Sequence, residues 1–115
     1  MVCENIVTTF KLKISGPVDL RLMEVGLKLV YGKVRVEQRT LSSGVEVLLV
    51  RTDRFAIQLK KSKDGFEVLE QEGQCNRKEL VQAYAAATQY AALIRQGYNV
   101  TAEREDGKVR LSASR

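Results

Sequence analysis

The sequence predicts one α+β domain over residues 1–115: a largely antiparallel sheet with two helices on one face, in the order βαββββαββ. Three observations lead there. Several short runs alternate apolar and polar residues with period two, two longer runs place apolar residues three and four apart, and short clusters of turn-forming residues separate the strand-like runs. Of the 115 residues 44% are hydrophobic and one is proline, so the chain collapses despite a net charge of +5.

Ile6, Phe10, Leu12 and Ile14 share one parity and Val7, Thr9, Lys11 and Lys13 the other, which is a half-buried strand. Ser15-Gly16-Pro17 stops it. A helix is expected over Pro17–Val30, capped by Ser15 or Gly16, with Pro17 first and Asp19 near the positive end of the dipole. Its apolar stripe is Val18, Leu22, Val25 and Leu29, and Gly26 within it costs about 1 kcal/mol relative to alanine. Val18, Leu20 and Leu22 also alternate, as a strand would.

Val34 and Val36, then Val45, Val47 and Leu49, then Phe55, Ile57 and Leu59 repeat with period two, and Phe66 and Val68 continue toward Gly73. Ser42-Ser43-Gly44, Thr52-Asp53-Arg54 and Lys63-Asp64-Gly65 suit hairpin turns, so a meander is expected. Asn76 and Glu79 resemble a capping box opening a second helix, whose core positions are Leu80, Ala83, Tyr84, Ala87, Ala91 and Ile94. Gly97 stands where a left-handed cap ends such a helix. Tyr98–Ala102 and Val109–Leu111 close the chain as strands around Asp106-Gly107, a strong hairpin signal.

Composition removes several function classes. Without histidine there is no Ser-His-Asp, Cys-His or His-ligated zinc chemistry. The two cysteines, Cys3 and Cys75, make neither a Cys-x-x-Cys pair nor a disulfide framework, and two reduced thiols are expected. The first apolar stretch is interrupted by Thr8 and Thr9, far short of the roughly 18 residues that span a membrane, so a cytoplasmic protein is expected. No phosphate-binding glycine motif occurs.

Gln89–Val100 followed by Glu105–Leu111, with the tyrosine-bearing helix, the Arg95-Gln96-Gly97-Tyr98 exit and the Glu105-Asp106-Gly107 hairpin, resembles one small family. It is the conserved reading frame of cyanobacteria and plastids called ycf thirty-five. Thr8–Lys13 is similar in character to that family's first strand, while the tryptophans of the family's middle are missing here. The resemblance implies a ferredoxin-like α+β shape. It transfers no catalytic residue, because the family has no established activity.

Two surfaces remain as candidates. Residues 1–63 hold 12 Lys+Arg against 6 Asp+Glu, and residues 64–115 hold 7 against 8. Parity then exposes Lys11, Lys13, Lys33, Arg35, Arg39, Arg54 and Lys60 as a basic sheet face, able to attract nucleic-acid phosphates with little sequence preference. Phe10 and Phe55 fall on the core parity, which leaves that face without a stacking platform. The second surface is the alanine-rich helix, where Ala85, Ala86 and Ala92 offer small side chains to a protein partner or a second copy. Glu103, Glu105 and Asp106 could approach a divalent cation, but Arg104 and Lys108 mark a solvated turn, so no metal or cofactor is expected. Cys75, before a helix N-terminus and beside Arg77 and Lys78, is a candidate for a lowered pKa, although no base for a nucleophile is in view. The function expected is therefore a non-enzymatic binding or assembly module, with nucleic-acid binding as the alternative.

Overall fold

The computed structural model describes residues 8–105 and 108–115. Its elements are β1 (Thr8–Lys13), α1 (Leu20–Tyr31), β2 (Arg35–Thr40), β3 (Glu46–Arg51), β4 (Phe55–Lys61), β5 (Gly65–Gly73), α2 (Arg77–Arg95), β6 (Asn99–Glu105) and β7 (Lys108–Ser114). Five strands form one antiparallel sheet in the order β1-β5-β4-β3-β2, and β6 and β7 pair as a separate sheet. The fold is α+β and mostly antiparallel, with β2 to β5 as a meander. Seven strands in two sheets, with α1 joining opposite edges of the larger one, depart from the ferredoxin-like order. Cys3 and the Asp106-Gly107 pair lie outside the described residues.

Both helices cover one face of the large sheet. Leu12, Leu48, Val50, Ile57, Leu59, Phe66 and Val68 from the strands pack with Met23, Leu27, Leu80 and Tyr84 from the helices. Burying each such side chain contributes about 1.5–3 kcal/mol. The Phe66 and Tyr84 rings meet edge to face at 5.6 Å between centroids.

α1 starts later than the sequence suggests and shows a different side to the core. Its N-cap is Asp19, whose carboxylate accepts the Arg21 N–H at 2.8 Å, and not Ser15 or Gly16. The cause is a residue far along the chain. The Tyr84 hydroxyl donates to the Pro17 carbonyl at 2.7 Å and accepts the Asp19 N–H at 3.0 Å, holding Pro17 outside the helix. The buried stripe is Leu20, Met23, Gly26, Leu27 and Val30, while Val25 of the expected stripe is exposed. Both stripes are apolar enough. Only the one carrying Gly26 lets the two helices touch, because a Cβ there would overlap the Ala83 carbonyl oxygen and lie 2.5 Å from its carbon.

β3 is also turned over relative to expectation. Leu48 and Val50 enter the core, and Val47 and Leu49 lie on the other face with Arg51. Val47-Leu48-Leu49-Val50 is apolar on both parities, so alternation cannot choose its side. A bulge between Ala56 and Ile57 then shifts the β4–β5 register by one residue.

The core ends within α2. Leu80, Ala83, Tyr84, Ala86 and Ala87 are buried, and no described residue after Ala87 is. Ala91 is half-buried and Ile94 is 47% exposed, although the spacing predicts both as core. Here α2 has run beyond the sheet. It closes with the Tyr98 N–H on the Leu93 carbonyl and the Gly97 N–H on that of Ile94, with Gly97 left-handed at φ 89° as predicted. The β6–β7 hairpin then lies against the helices. It presents half-buried Val100, Ala102, Val109 and Leu111, and Arg104 Nη2 donates to the Lys28 carbonyl at 3.0 Å.

Candidate functional site

The sheet face away from the helices is built from cross-strand rows. One reads Lys11, Glu67, Lys60, Val47, Arg39; a second reads Thr9, Leu69, Gln58, Leu49, Glu37; a third reads Glu72, Ala56, Arg51, Arg35. Five of the seven predicted basic residues therefore share this face: Lys11, Lys13, Arg35, Arg39 and Lys60. The other two do not. Lys33 precedes β2 in a connection, and Arg54 turns to the helix side, with its guanidinium 5.8 Å from the Tyr31 ring centroid and 3.5 Å from Glu79.

Glu79, expected as the second half of a capping box, stands 3.5 Å from the Arg54 guanidinium. The Asn76 side chain caps α2 from its own side by accepting the Lys78 N–H at 2.8 Å.

The face is less basic than parity suggests. Arg51 joins it through the reversed side of β3, and Glu37, Glu67 and Glu72 interleave with the cations. Glu37 accepts from Arg39 at 3.0 Å and Glu72 from Arg51 at 3.2 Å. Glu67 stands in register between Lys11 and Lys60, where all three line a hollow of about 440 Å³ with Gln58 and Leu69. Arg35 stands directly opposite Arg51, a destabilising like-charge pair, whereas the opposed pairs Lys11–Glu67 and Glu67–Lys60 stabilise the sheet by about 0.2–1 kcal/mol each. They also weaken the field that would draw in a polyanion. Among the described residues no aromatic ring lies in these rows, and Phe10 sits on the helix side with the Arg77 guanidinium 5.1 Å from its centroid.

Cys75 is not activated. Its thiol is buried, its N–H donates to Glu70 Oε2 at 2.7 Å, and its pKa is pushed up to about 12 by burial first and by the Glu70 and Glu79 charges next. Arg54 opposes this without reversing it. The neighbouring Tyr31 hydroxyl is buried with no hydrogen-bond partner among the described residues, and burial likewise raises its pKa. Both groups stay neutral, the opposite of what a nucleophile at a helix N-terminus needs. Among the described residues no three His, Cys, Asp or Glu side chains converge as a metal site. No described helix is long and apolar enough to cross a membrane.

The outward side of α2 is the other surface. Val81, Ala85, Thr88 and Ala92, spaced four, three and four apart, are all exposed, with Val81 at 40%. Ala85 and Ala92 thus stand where an interface would need them. Ala86 does not: it is 8% exposed and packs within its own chain. The sequence held a further signal beyond the alanines. From Leu80 to Ile94 no charged side chain occurs, in a chain that is 29% charged. A helix whose outer face meets only water normally carries charges there.

Comparison with protein-family models, with curated proteins and with solved structures finds no match to this chain.

Proposed function

We propose that this protein is a non-enzymatic assembly module that associates with a second copy of itself through the outward face of α2. The carrying observation is the uncharged run from Leu80 to Ile94, which leaves Val81, Ala85, Thr88 and Ala92 open on one side. The centre of a protein interface is depleted of charge, because each charge there must be stripped of water. A two-fold axis sets one patch against itself, and a patch without charge brings no like-charge repulsion to that contact. Alanine at two of the four positions lets the helix axes approach closely. The thin core beyond Ala87 supports the same reading, since Ala92 and Ile94 stay exposed there although the β6–β7 hairpin lies against the helices. The interleaved glutamates and the lack of described aromatic rings on the open sheet face give nucleic-acid binding less support.

Analytical sedimentation over a concentration series tests this. Wild-type protein is expected to associate reversibly, and Ala85→Glu or Ala92→Glu to lose the α2 contact and associate at least about tenfold more weakly, with a thermal midpoint close to wild type. Ala87→Glu, aimed into the core, unfolds instead. A wild type that stays monomeric at the highest concentrations, or glutamate variants that associate as it does, would overturn the proposal.

A further inference from the structure

We propose that β2 is a second contact with another copy of this chain, pairing antiparallel with its counterpart in a register centred on Gln38. β2 ends the five-stranded sheet, and its outer edge meets no strand among the described residues. It pairs with β3 without a bulge from Arg35 to Thr40 and contains no proline, so neither a bulge nor a proline spoils this edge. What remains to govern pairing is its charge pattern, Arg35, Glu37 and Arg39, all on one face of the strand.

That pattern selects one register. When two identical edges pair antiparallel about a two-fold normal to the sheet, the faces match only if a residue lies opposite itself at the centre. Centring on Glu37 opposes two glutamates and sets Arg35 against Arg39 twice. Centring on Arg39 opposes two arginines. Centring on Val36 sets Arg35 opposite Glu37 but also Lys33, which precedes β2, opposite Arg39. Centring on Gln38 sets Glu37 opposite Arg39 of the second copy and Arg39 opposite its Glu37, with Val36 facing Thr40 on either side. Glu37 and Arg39 already bond within the chain at 3.0 Å, so the pairing closes a square of alternating charge. Arg35 then faces Leu41 of the second copy, an exposed apolar residue that its aliphatic stem covers. Charges on an edge ordinarily deter self-pairing; here their spacing makes the edge complementary to itself.

The contact is independent of α2, and it is tested in an Ala85→Glu background so that the two readings fail separately. Gln38→Cys, with Cys3→Ser, is oxidised beside Glu37→Cys in the same background. Residues directly opposed across antiparallel strands have Cα atoms about 4.5–5.5 Å apart, within disulfide reach. Gln38→Cys is therefore expected to form the covalent dimer at least about tenfold faster than Glu37→Cys. Single reversals Glu37→Arg and Arg39→Glu each create like-charge contacts twice across the axis and weaken association about tenfold. The double reversal restores it. Equal cross-linking at both positions, or a double reversal no better than the singles, would overturn the proposal.

Discussion

Gly26→Ala gives the sharpest test of how the helices are held. On propensity alone the change favours α1 by about 1 kcal/mol, since alanine is the better helix former. The structure predicts the opposite sign. The new methyl would lie 2.5 Å from the Ala83 carbonyl carbon and 3.2 Å from the Tyr84 nitrogen, where ordinary contact begins at 3.4 Å. These are backbone atoms of α2, so no side chain can swing aside, and the helices must part by roughly 1 Å. Met23, Leu27, Leu80 and Tyr84 then lose contact together. Overpacking of this kind costs about 1–3 kcal/mol, and prying a helix pair apart belongs at the upper end. After the propensity gain the net loss is about 2 kcal/mol, or a fall in Tm of roughly 8–10 °C for a chain of this size. Urea denaturation followed by circular dichroism measures it. Because the obstacle is backbone, adding Ala83→Gly should rescue nothing. A Gly26→Ala protein as stable as wild type, or one rescued by Ala83→Gly, would refute the account.

Tyr84→Phe is expected to cost about 1–3 kcal/mol in the same assay, because it orphans the Pro17 carbonyl and the Asp19 N–H; an unchanged midpoint would mean that water replaces the hydroxyl freely. Stability should also fall at alkaline pH. In the folded protein burial pushes the Cys75 thiol from its ordinary pKa of 9.0 up to about 12, so the unfolded chain releases its proton first and is favoured as pH rises between the two. Cys75→Ala should flatten that decline by up to about 1.4 kcal/mol per pH unit, and equal slopes for variant and wild type would contradict the raised pKa.

Much of this fold could be read from local signals, and the failures share a cause. Asn76 and Gly97 bound α2 because capping chemistry depends on a few neighbouring residues. The start of α1 depends instead on a tyrosine 67 residues further along, and its buried side depends on which stripe can meet another helix backbone. Neither condition is written near Pro17. β3 was ambiguous because four apolar residues in a row satisfy either face. For the open sheet face, the alternation that exposes Arg35 and Arg39 equally exposes Glu37, so that acid was legible. Glu72 was not, because a bulge moved it opposite Ala56. At α2 the alanines fall on the exposed and the buried sides alike. Separating Ala85 and Ala92 from buried Ala86 required the angle at which the helix meets its sheet.

The position of the last buried residue has a consequence for biosynthesis. Among the described residues every fully buried side chain lies at or before Ala87, and β6 and β7 come afterwards. A ribosome therefore joins every residue of the main core into the chain before it reaches the hairpin. The five-stranded sheet and both helices can close on one another without waiting for a fully buried side chain from the final strands. The hairpin then docks onto a finished surface, so a stalled or truncated product lacking it would already hold the core that gives the protein its shape.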